Sequence, residues 1–517
     1  MESQMKQAYA ATTASIVNVI RTRGVQLWLE EGQLRYRAPR GALTQEELDV
    51  LRASKGEIIA ILRRSENLQT PTQTHKPRRP TDRIPLAFSQ LFHWHVSHLS
   101  TLRSARSVAS ALTLRGPVNL KLLEHSLNEV VRHHEALRTQ ITVVDDVPMQ
   151  VIRPANDCPL KIEYLYAYDR ADKPTLVAKV IERVLAPIDI TADPLFEVSL
   201  LKICDEEHIL IVAMEHLISD AFSRGILIRD LLNAYHTAIR GLPVSLPPVT
   251  IQFADYALWQ RSTDDSWRAE HGAHWNQQQK RQRVSFPADR NTKDLGWGIV
   301  PIRIVTTLRK ALREWSRLRR TTPAMAVFTA YAALVMRWCA APEIVIQYQI
   351  NGRDHPSLEN TIGYLASVLY IQVEMVKGDN FLGLLNRITA EYCRAHAHAD
   401  SYRLAARGVR PEIARGTCFN WVPPEPIDGV RNGETINAAL SITPFEFEVP
   451  MPDNLELDDE PFILLFDREH DVIGTVRFPR SRFSQDAMDK FGREFLRFVE
   501  ILLRDPDKLV DEIEIAP

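Results

Sequence analysis

His216 and Asp220 lie four residues apart in the segment Met214-Glu215-His216-Leu217-Ile218-Ser219-Asp220-Ala221-Phe222-Ser223. The apolar run before it, residues 208–213, reads as a buried strand, and residues 224–238 carry apolar side chains at helical spacing. The two polar residues therefore belong to a strand-to-helix turn, where backbone N–H groups without helical partners can meet a developing negative charge. A neutral imidazole placed there can take a proton from an amine or a hydroxyl as it attacks a carbonyl. The same spacing also fits a buried histidine tied to a neighbouring aspartate. The residues alone leave both readings open.

Whatever positions this turn must be sizeable. The chain has 517 residues, 45% of them hydrophobic and 25% charged, which suits about three folding units of globular make. Its net charge of −2 gives no polyelectrolyte signal and argues against nucleic acid as a partner. Five cysteines, odd in number and without a Cys-x-x-Cys pair, argue for a reducing compartment, so a cytoplasmic protein is expected. The longest apolar run, residues 325–336, is too short for a membrane span. Residues 12–23 are amphipathic and lack the core of a signal peptide.

The first 64 residues form a unit of their own. Residues 15–23 read as a short helix ended by Gly24. Val25-Gln26-Leu27-Trp28-Leu29 then alternates, turns at Glu31-Gly32 and returns as Gln33-Leu34-Arg35-Tyr36-Arg37, which is a hairpin with Val25, Leu27 and Leu29 on one face. Thr44 and Glu47 make a capping box that opens a helix to about residue 64. Ten basic residues stand against seven acidic ones here, so a cationic strand edge could accept an acidic peptide. Residues 65–81, polar with three prolines, read as a flexible linker.

Beyond the linker, strands are expected at 108–116, 136–144, 149–153, 196–203 and 208–213, with helices at 118–133 and 173–186. A second cycle follows: strands at 299–305, 343–349, 364–376, 417–421 and 438–442, a hairpin at 462–478, and helices at 308–319, 322–338, 381–398 and 484–504. This is an α/β chain of two lobes, at 82–250 and 251–517, behind the small N-terminal module.

Several stretches carry a resemblance. Gly24-Val25-x-Leu27-Trp28-x-Glu30-x-Gly32-x-Leu34-Arg35-Tyr36, continuing to Thr44, is similar to the TubC-type β-hairpin docking domain of nonribosomal peptide synthetases. That resemblance implies an upstream carrier protein or synthase subunit whose C-terminal tail docks on residues 1–64, with Trp28, Arg35, Arg37 and Lys55 as candidate contacts. Leu86-Ala87-Phe88-Ser89-Gln90-Leu91-Phe92-His93-Trp94 resembles the opening motif of condensation domains, Ser-x-x-Gln-x-x-Leu/Met-Trp. His134-Glu135-Ala136-Leu137-Arg138-Thr139 resembles their second motif, and Phe253-Ala254-Asp255-Tyr256-Ala257-Leu258-Trp259-Gln260 their fourth. The implied fold is a V-shaped pair of chloramphenicol acetyltransferase-like lobes with the site between them.

The family's third motif, His-His-x-x-x-Asp-Gly, corresponds to Glu215 through Ala221. His216 takes the place of the catalytic histidine. Asp220 takes that of a structural aspartate, whose arginine partner corresponds to Arg353 in Asn351-Gly352-Arg353-Asp354. Glu215 stands for the first histidine, as a structural hydrogen-bond partner or a tuner of His216. Ala221 stands for glycine, where a positive φ would be uncomfortable. Ser367 stands for the asparagine of the fifth motif, Ile-Gly-x-Phe-x-Asn-Thr, and suggests an altered acceptor pocket.

The resemblance implies acyl transfer from a carrier's phosphopantetheine thioester to an amine or hydroxyl, small or carrier-bound, with no bound cofactor and no metal. No adenylation domain and no Gly-Gly-x-Ser carrier site follows the second lobe before Pro517. A complete chain of this kind is expected to be a stand-alone enzyme using a partner in trans, with ester formation and chain release as roles. A CoA-dependent acyltransferase, an epimerase and an inactive docking scaffold are the alternatives. The cluster Cys393, His396, His398, Asp400 resembles a metal site but has the wrong helical spacing, since residues two apart do not share a face. Asp294-Leu295-Gly296-Trp297-Gly298 looks like a plant acyltransferase signature and is expected to be a loop.

Overall fold

A computed structural model describes residues 25–30, 33–38, 48, 55, 83–99, 104–105, 108–155, 162–166, 173–279, 285–294, 296–396, 398–399, 403, 416–423, 440–445, 460–468 and 470–515. The expected helices at 15–23 and 44–64 (apart from positions 48 and 55), the linker, Asp400 and the start of the 438–442 strand lie outside these residues.

In chain order, β1 (Gln26–Glu30) and β2 (Gln33–Arg37) form the N-terminal hairpin, with Val25 and Leu27 buried. The first lobe then runs β3 (Ile84–Pro85), α1 (Phe88–Leu99), β4 (Ser104–Ala105), β5 (Val108–Arg115) and α2 (Leu120–His133). It continues with β6 (Thr139–Val144), β7 (Val147–Ile152), β8 (Glu163–Tyr166), α3 (Lys173–Val184), β9 (Pro187–Ile188), β10 (Phe196–Cys204), β11 (Glu207–Met214) and α4 (Ala221–Ile239). Helices α5 (Phe253–Ser262) and α6 (Asp264–Gln279) lead to the second lobe. There follow β12 (Trp297–Ile304), α7 (Thr306–Leu318), α8 (Pro323–Trp338), β13 (Glu343–Ile350), β14 (Ser367–Glu374) and α9 (Phe381–His396). The described chain closes with β15 (Cys418–Val422), β16 (Ser441–Phe445), β17 (Phe462–Asp467), β18 (Val472–Pro479) and α10 (Gln485–Arg504).

Each lobe is organised by one sheet. The first has the order β16-β5-β11-β10-β8 and the second β12-β18-β17-β15-β13-β14. Alternate residues of β11 serve opposite faces of the first sheet. Leu210, Val212 and Met214 join one cluster, Ile209, Ile211 and Ala213 another, which is why this strand reads as an unbroken apolar run. In the second lobe α8 is buried from Met325 to Met336. The longest apolar run of the sequence is thus the core helix of a lobe. No helix among the described residues is long and apolar enough to cross a membrane.

Three expectations need correction. The strand placed at residue 136 begins at Thr139, because Glu135–Arg138 forms a 3-10 turn after α2. The strand placed at residue 364 begins at Ser367, since the preceding residues turn toward the first lobe. The strand ending at residue 442 was assigned to the second lobe, yet β16 pairs antiparallel with β5 in the first lobe's sheet, where Ile442 is fully buried. An edge strand accepts whichever partner packing brings alongside.

Candidate functional site

The turn between β11 and α4 is built from its own polar groups. Glu215 is fully buried and caps a short 3-10 turn, His216–Ile218, by accepting the Leu217 N–H. The Ser219 hydroxyl donates to the Glu215 carbonyl (2.8 Å). Asp220 then caps α4 by accepting from the Ser223 N–H (2.8 Å). Of residues 215–220, His216 alone is not fully buried.

The His216 ring is oriented by one bond. Its Nδ1 lies 3.0 Å from the Ser219 carbonyl oxygen. A carbonyl only accepts, so Nδ1 carries the proton and the neutral ring keeps its lone pair on Nε2. Burial lowers the ring's proton affinity and His93 lowers it further, against the opposite pull of Glu215 and Asp220. The outcome favours a neutral imidazole, the form a general base needs. Tyr364 covers the ring at 4.7 Å between centroids.

Asp220 makes no hydrogen bond to this imidazole. It faces the second lobe, where Arg353 grips it with both prongs, Nη1 at 2.9 Å and Nη2 at 3.0 Å. The Leu365 and Ala366 N–H groups donate to the same carboxylate at 3.1 and 3.0 Å. Burial pushes this carboxyl up, but Arg353 and Ser223 outweigh it and hold it below its usual range. One aspartate therefore fastens the turn of the first lobe to the fifth-motif segment of the second. Breaking such a buried pair costs about 3–5 kcal/mol.

Glycines permit the approach. Gly352 has φ +65°, and a Cβ there would fall 1.9 Å from the Leu365 carbonyl. A Cβ on Gly363 would meet the Phe253 ring at 2.2 Å, so the fourth motif anchors the fifth by direct packing. Ala221 opens α4 in place of the expected glycine, and it is not among the described non-glycine residues with positive φ. The substitution is unstrained.

Several participants were not singled out as site residues in the sequence. Ser223 contacts Asp220, Arg353 and Gly363 at once. Gln90 on α1 donates to the Leu217 carbonyl (2.7 Å), and Ser89 to the Tyr364 carbonyl (2.7 Å), so the opening motif braces the turn from above. His93, one turn along, meets Glu215 at 2.9 Å. Only the assembly of α1 over the turn reveals it. Ser367 begins β14, buried, and its hydroxyl has no hydrogen-bond partner among the described residues.

The remaining candidates lie elsewhere. Trp28 pairs with Arg35 across the hairpin, and Arg35, Tyr36 and Arg37 are exposed. Arg37 Nη1 reaches Glu359 of the second lobe at 2.7 Å, and Lys55 donates to Gln33 at 2.9 Å. His396 pairs with Asp354 (3.4 Å) while His398 stacks on His274. The described residues hold no group of three or more ligands that could bind a metal. Asp294 takes the Gly296 N–H and an ion pair from Arg480, a surface turn ahead of β12.

Two α/β lobes of one make, clasped by an aspartate and an arginine around an imidazole that offers Nε2, define a protein of the chloramphenicol acetyltransferase-like class. Residues 81–411 match the family model described as the condensation domain, and residues 14–64 that of the TubC N-terminal docking domain. The chain belongs to the condensation-domain family, whose members are acyltransferases that form amide bonds, and it carries a docking domain of the nonribosomal peptide synthetase type. It is 31% identical over 324 residues to malpibaldin synthetase of Mortierella alpina, covering 61% of this chain and 6% of that protein. Over 441 residues it is 27% identical to the phosphinothricin tripeptide synthetase PhsC of Streptomyces viridochromogenes, covering 83% of this chain and 40% of that one. The chain thus spans less than half the length of these relatives.

Among solved structures, the X-domain from teicoplanin biosynthesis in complex with OxyB superposes with a TM-score of 0.70 at 22% identity, over 87% of this chain and 98% of that one. The starter condensation domain of rhizomide synthetase gives 0.66 at 16% identity, over 84% and 100%. The epimerization domain of tyrocidine synthetase B gives 0.67 at 18%, over 82% and 96%. At such identities the likeness establishes the fold alone.

Proposed function

We propose that this chain transfers an acyl group from the phosphopantetheine thioester of a partner carrier protein to an amine or hydroxyl acceptor. The observation that carries the reading is the Nδ1 bond of His216 to the Ser219 carbonyl, which leaves Nε2 as the acceptor of a proton. In the proposed step Nε2 takes the proton of the attacking N–H or O–H as the new C–N or C–O bond forms. The tetrahedral intermediate collapses, the C–S bond breaks, and the imidazolium returns the proton to the departing thiolate. The exchange balances without metal, redox partner or ATP. Asp220 and Arg353 act by holding the turn, Glu215 and Ala221 by shaping it, and Ser367 faces selection of the acceptor.

The carrier is brought in by the docking domain. An acidic C-terminal tail laid on the exposed cationic strand β2 would add a strand and meet Arg35, with Trp28, Lys55 and Arg37 as further contacts, Arg37 once its bond to Glu359 opens. A soluble acceptor supplied in trans makes ester formation and chain release the finer form of this reading. Incubating an acyl-loaded carrier with the protein and a panel of amines and alcohols, followed by intact-mass analysis, tests it. Unloading that requires both an added nucleophile and His216 is expected. Turnover of acyl-CoA without a carrier would instead indicate a CoA-dependent acyltransferase, and a carrier bound but never unloaded, by wild type and His216→Ala alike, would leave a docking scaffold.

A further inference from the structure

Two departures from the motifs that this chain resembles meet in space. The third motif has histidine where Glu215 stands, and the opening motif has Leu or Met where His93 stands. They lie 122 residues apart in the chain, yet His93 Nε2 and Glu215 Oε1 are 2.9 Å apart. Each change alone would be unfavourable: a carboxylate with no exposed surface, or an imidazole on the inner side of α1. Together they form one pair, and an imidazole returns beside the turn from a different element.

We infer that His93 is a positioning residue for His216, held by Glu215 and acting across the 5.8 Å between the two ring centroids. The link is partly mechanical. One Glu215 oxygen meets His93 and the other accepts the Leu217 N–H, so the carboxylate ties α1 to the 3-10 turn that presents His216. It is also electrostatic. A carboxylate accepts only, so His93 donates to it through Nε2. Across the two rings His93 opposes protonation of His216, while Glu215 favours it.

The other groups around His216 are fixed. Asp220, on the same turn, is balanced by Arg353 from the second lobe, and Tyr364 supplies an aromatic face that also meets the edge of the His93 ring at 6.3 Å. His93 has 26% of its side chain exposed and Glu215 none, so solvent reaches the pair only from the histidine side. The inference rests on the proposed role of His216 as the base, and its test has a readout independent of transfer.

The experiment is an NMR titration of ¹³C-labelled histidine in the full chain, with His216→Ala identifying the resonance. In His93→Leu the His216 midpoint should rise, because the opposing influence of the His93 ring is removed while Glu215 stays. In Glu215→Gln it should fall. His93→Gln keeps a donor for Glu215 without the ring, preserves the fold, and should reproduce the rise seen in His93→Leu. The acid limb of kcat/KM for carrier-dependent transfer should move in the same opposite directions. A purely structural pair would lower activity without moving the midpoints apart, and midpoints equal to wild type in Glu215→Gln and His93→Gln overturn the inference. Opposed midpoint shifts in a protein that transfers no acyl group would instead uphold it and reject the proposed function.

Discussion

Two histidines of the first lobe, each with an aspartate close by, have opposite uses. His134 ends α2 with 1% exposure and bonds Asp230 of α4 through Nε2 at 2.8 Å, the carboxylate being shared with Arg229. His216 has an aspartate four residues away and no bond to it; its own contact is a backbone carbonyl, and Asp220 belongs to Arg353. The buried His–Asp pair that a His-x-x-x-Asp spacing suggests does exist in this protein, but between residues 96 apart. A histidine bonded through Nε2 and sealed from solvent is a brace. One bonded through Nδ1 and left partly accessible can exchange a proton with what comes to it.

The strongest way to break this contrast is to truncate both rings. His216→Ala should lower acyl transfer by about 10²–10⁴ with an unchanged melting curve. His134→Ala should do the reverse, costing about 1–3 kcal/mol in urea unfolding because Asp230 loses a buried donor, with kcat per folded molecule retained. Equal losses of activity in the two variants would abolish the distinction.

Next in size, Arg353→Ala should destabilise the chain by about 3–5 kcal/mol, since Asp220 would remain buried without its cation. Urea titration measures it, and Asp220→Asn/Arg353→Ala should recover part of the loss. Gly363→Ala should cost about 1–3 kcal/mol through the clash with Phe253, read as a shift in denaturation midpoint.

The brace also sharpens the comparison through pH. Burial lowers the proton affinity of His134 below its ordinary value of 6.5, so folding favours the neutral ring. Its contribution is whole above that value and is lost as pH falls, because the unfolded chain then binds a proton that the folded one resists. The Asp220 contribution is lost at lower pH still, as protons reach a carboxylate held below its usual range. Stability measured against pH should therefore fall in two stages, the first of them smaller in His134→Gln, where His216 and the other histidines lowered by burial still contribute. The smallest effect belongs to the exposed pair Arg37–Glu359: Arg37→Ala should change stability by less than about 1 kcal/mol, with any loss of tail affinity appearing separately in a binding titration.

Much of this was legible in the chain alone. The strand-turn-helix around His216, the hairpin of residues 25–37 and the alternation of the two lobes follow from apolar period, caps and turn residues, which act over a few positions. The helix expected at 322–338 is α8, which runs Pro323–Trp338 behind the Thr322 cap. The resemblance of whole motifs then pointed to Arg353 as the partner of Asp220 across 133 residues, beyond what spacing could supply.

Periodicity tells which face of an element is buried but not which element will cover it. That Gln90 and His93 come down on the turn, that Ser223 bridges to Gly363, and that β16 crosses to the other lobe's sheet were settled only when distant segments packed together. Buried polar groups must find partners or forfeit their solvation, and the partners are whatever the tertiary arrangement places within 3 Å or so. The sequence thus determined which residues could do chemistry, and the fold decided which of two histidines is left able to do it.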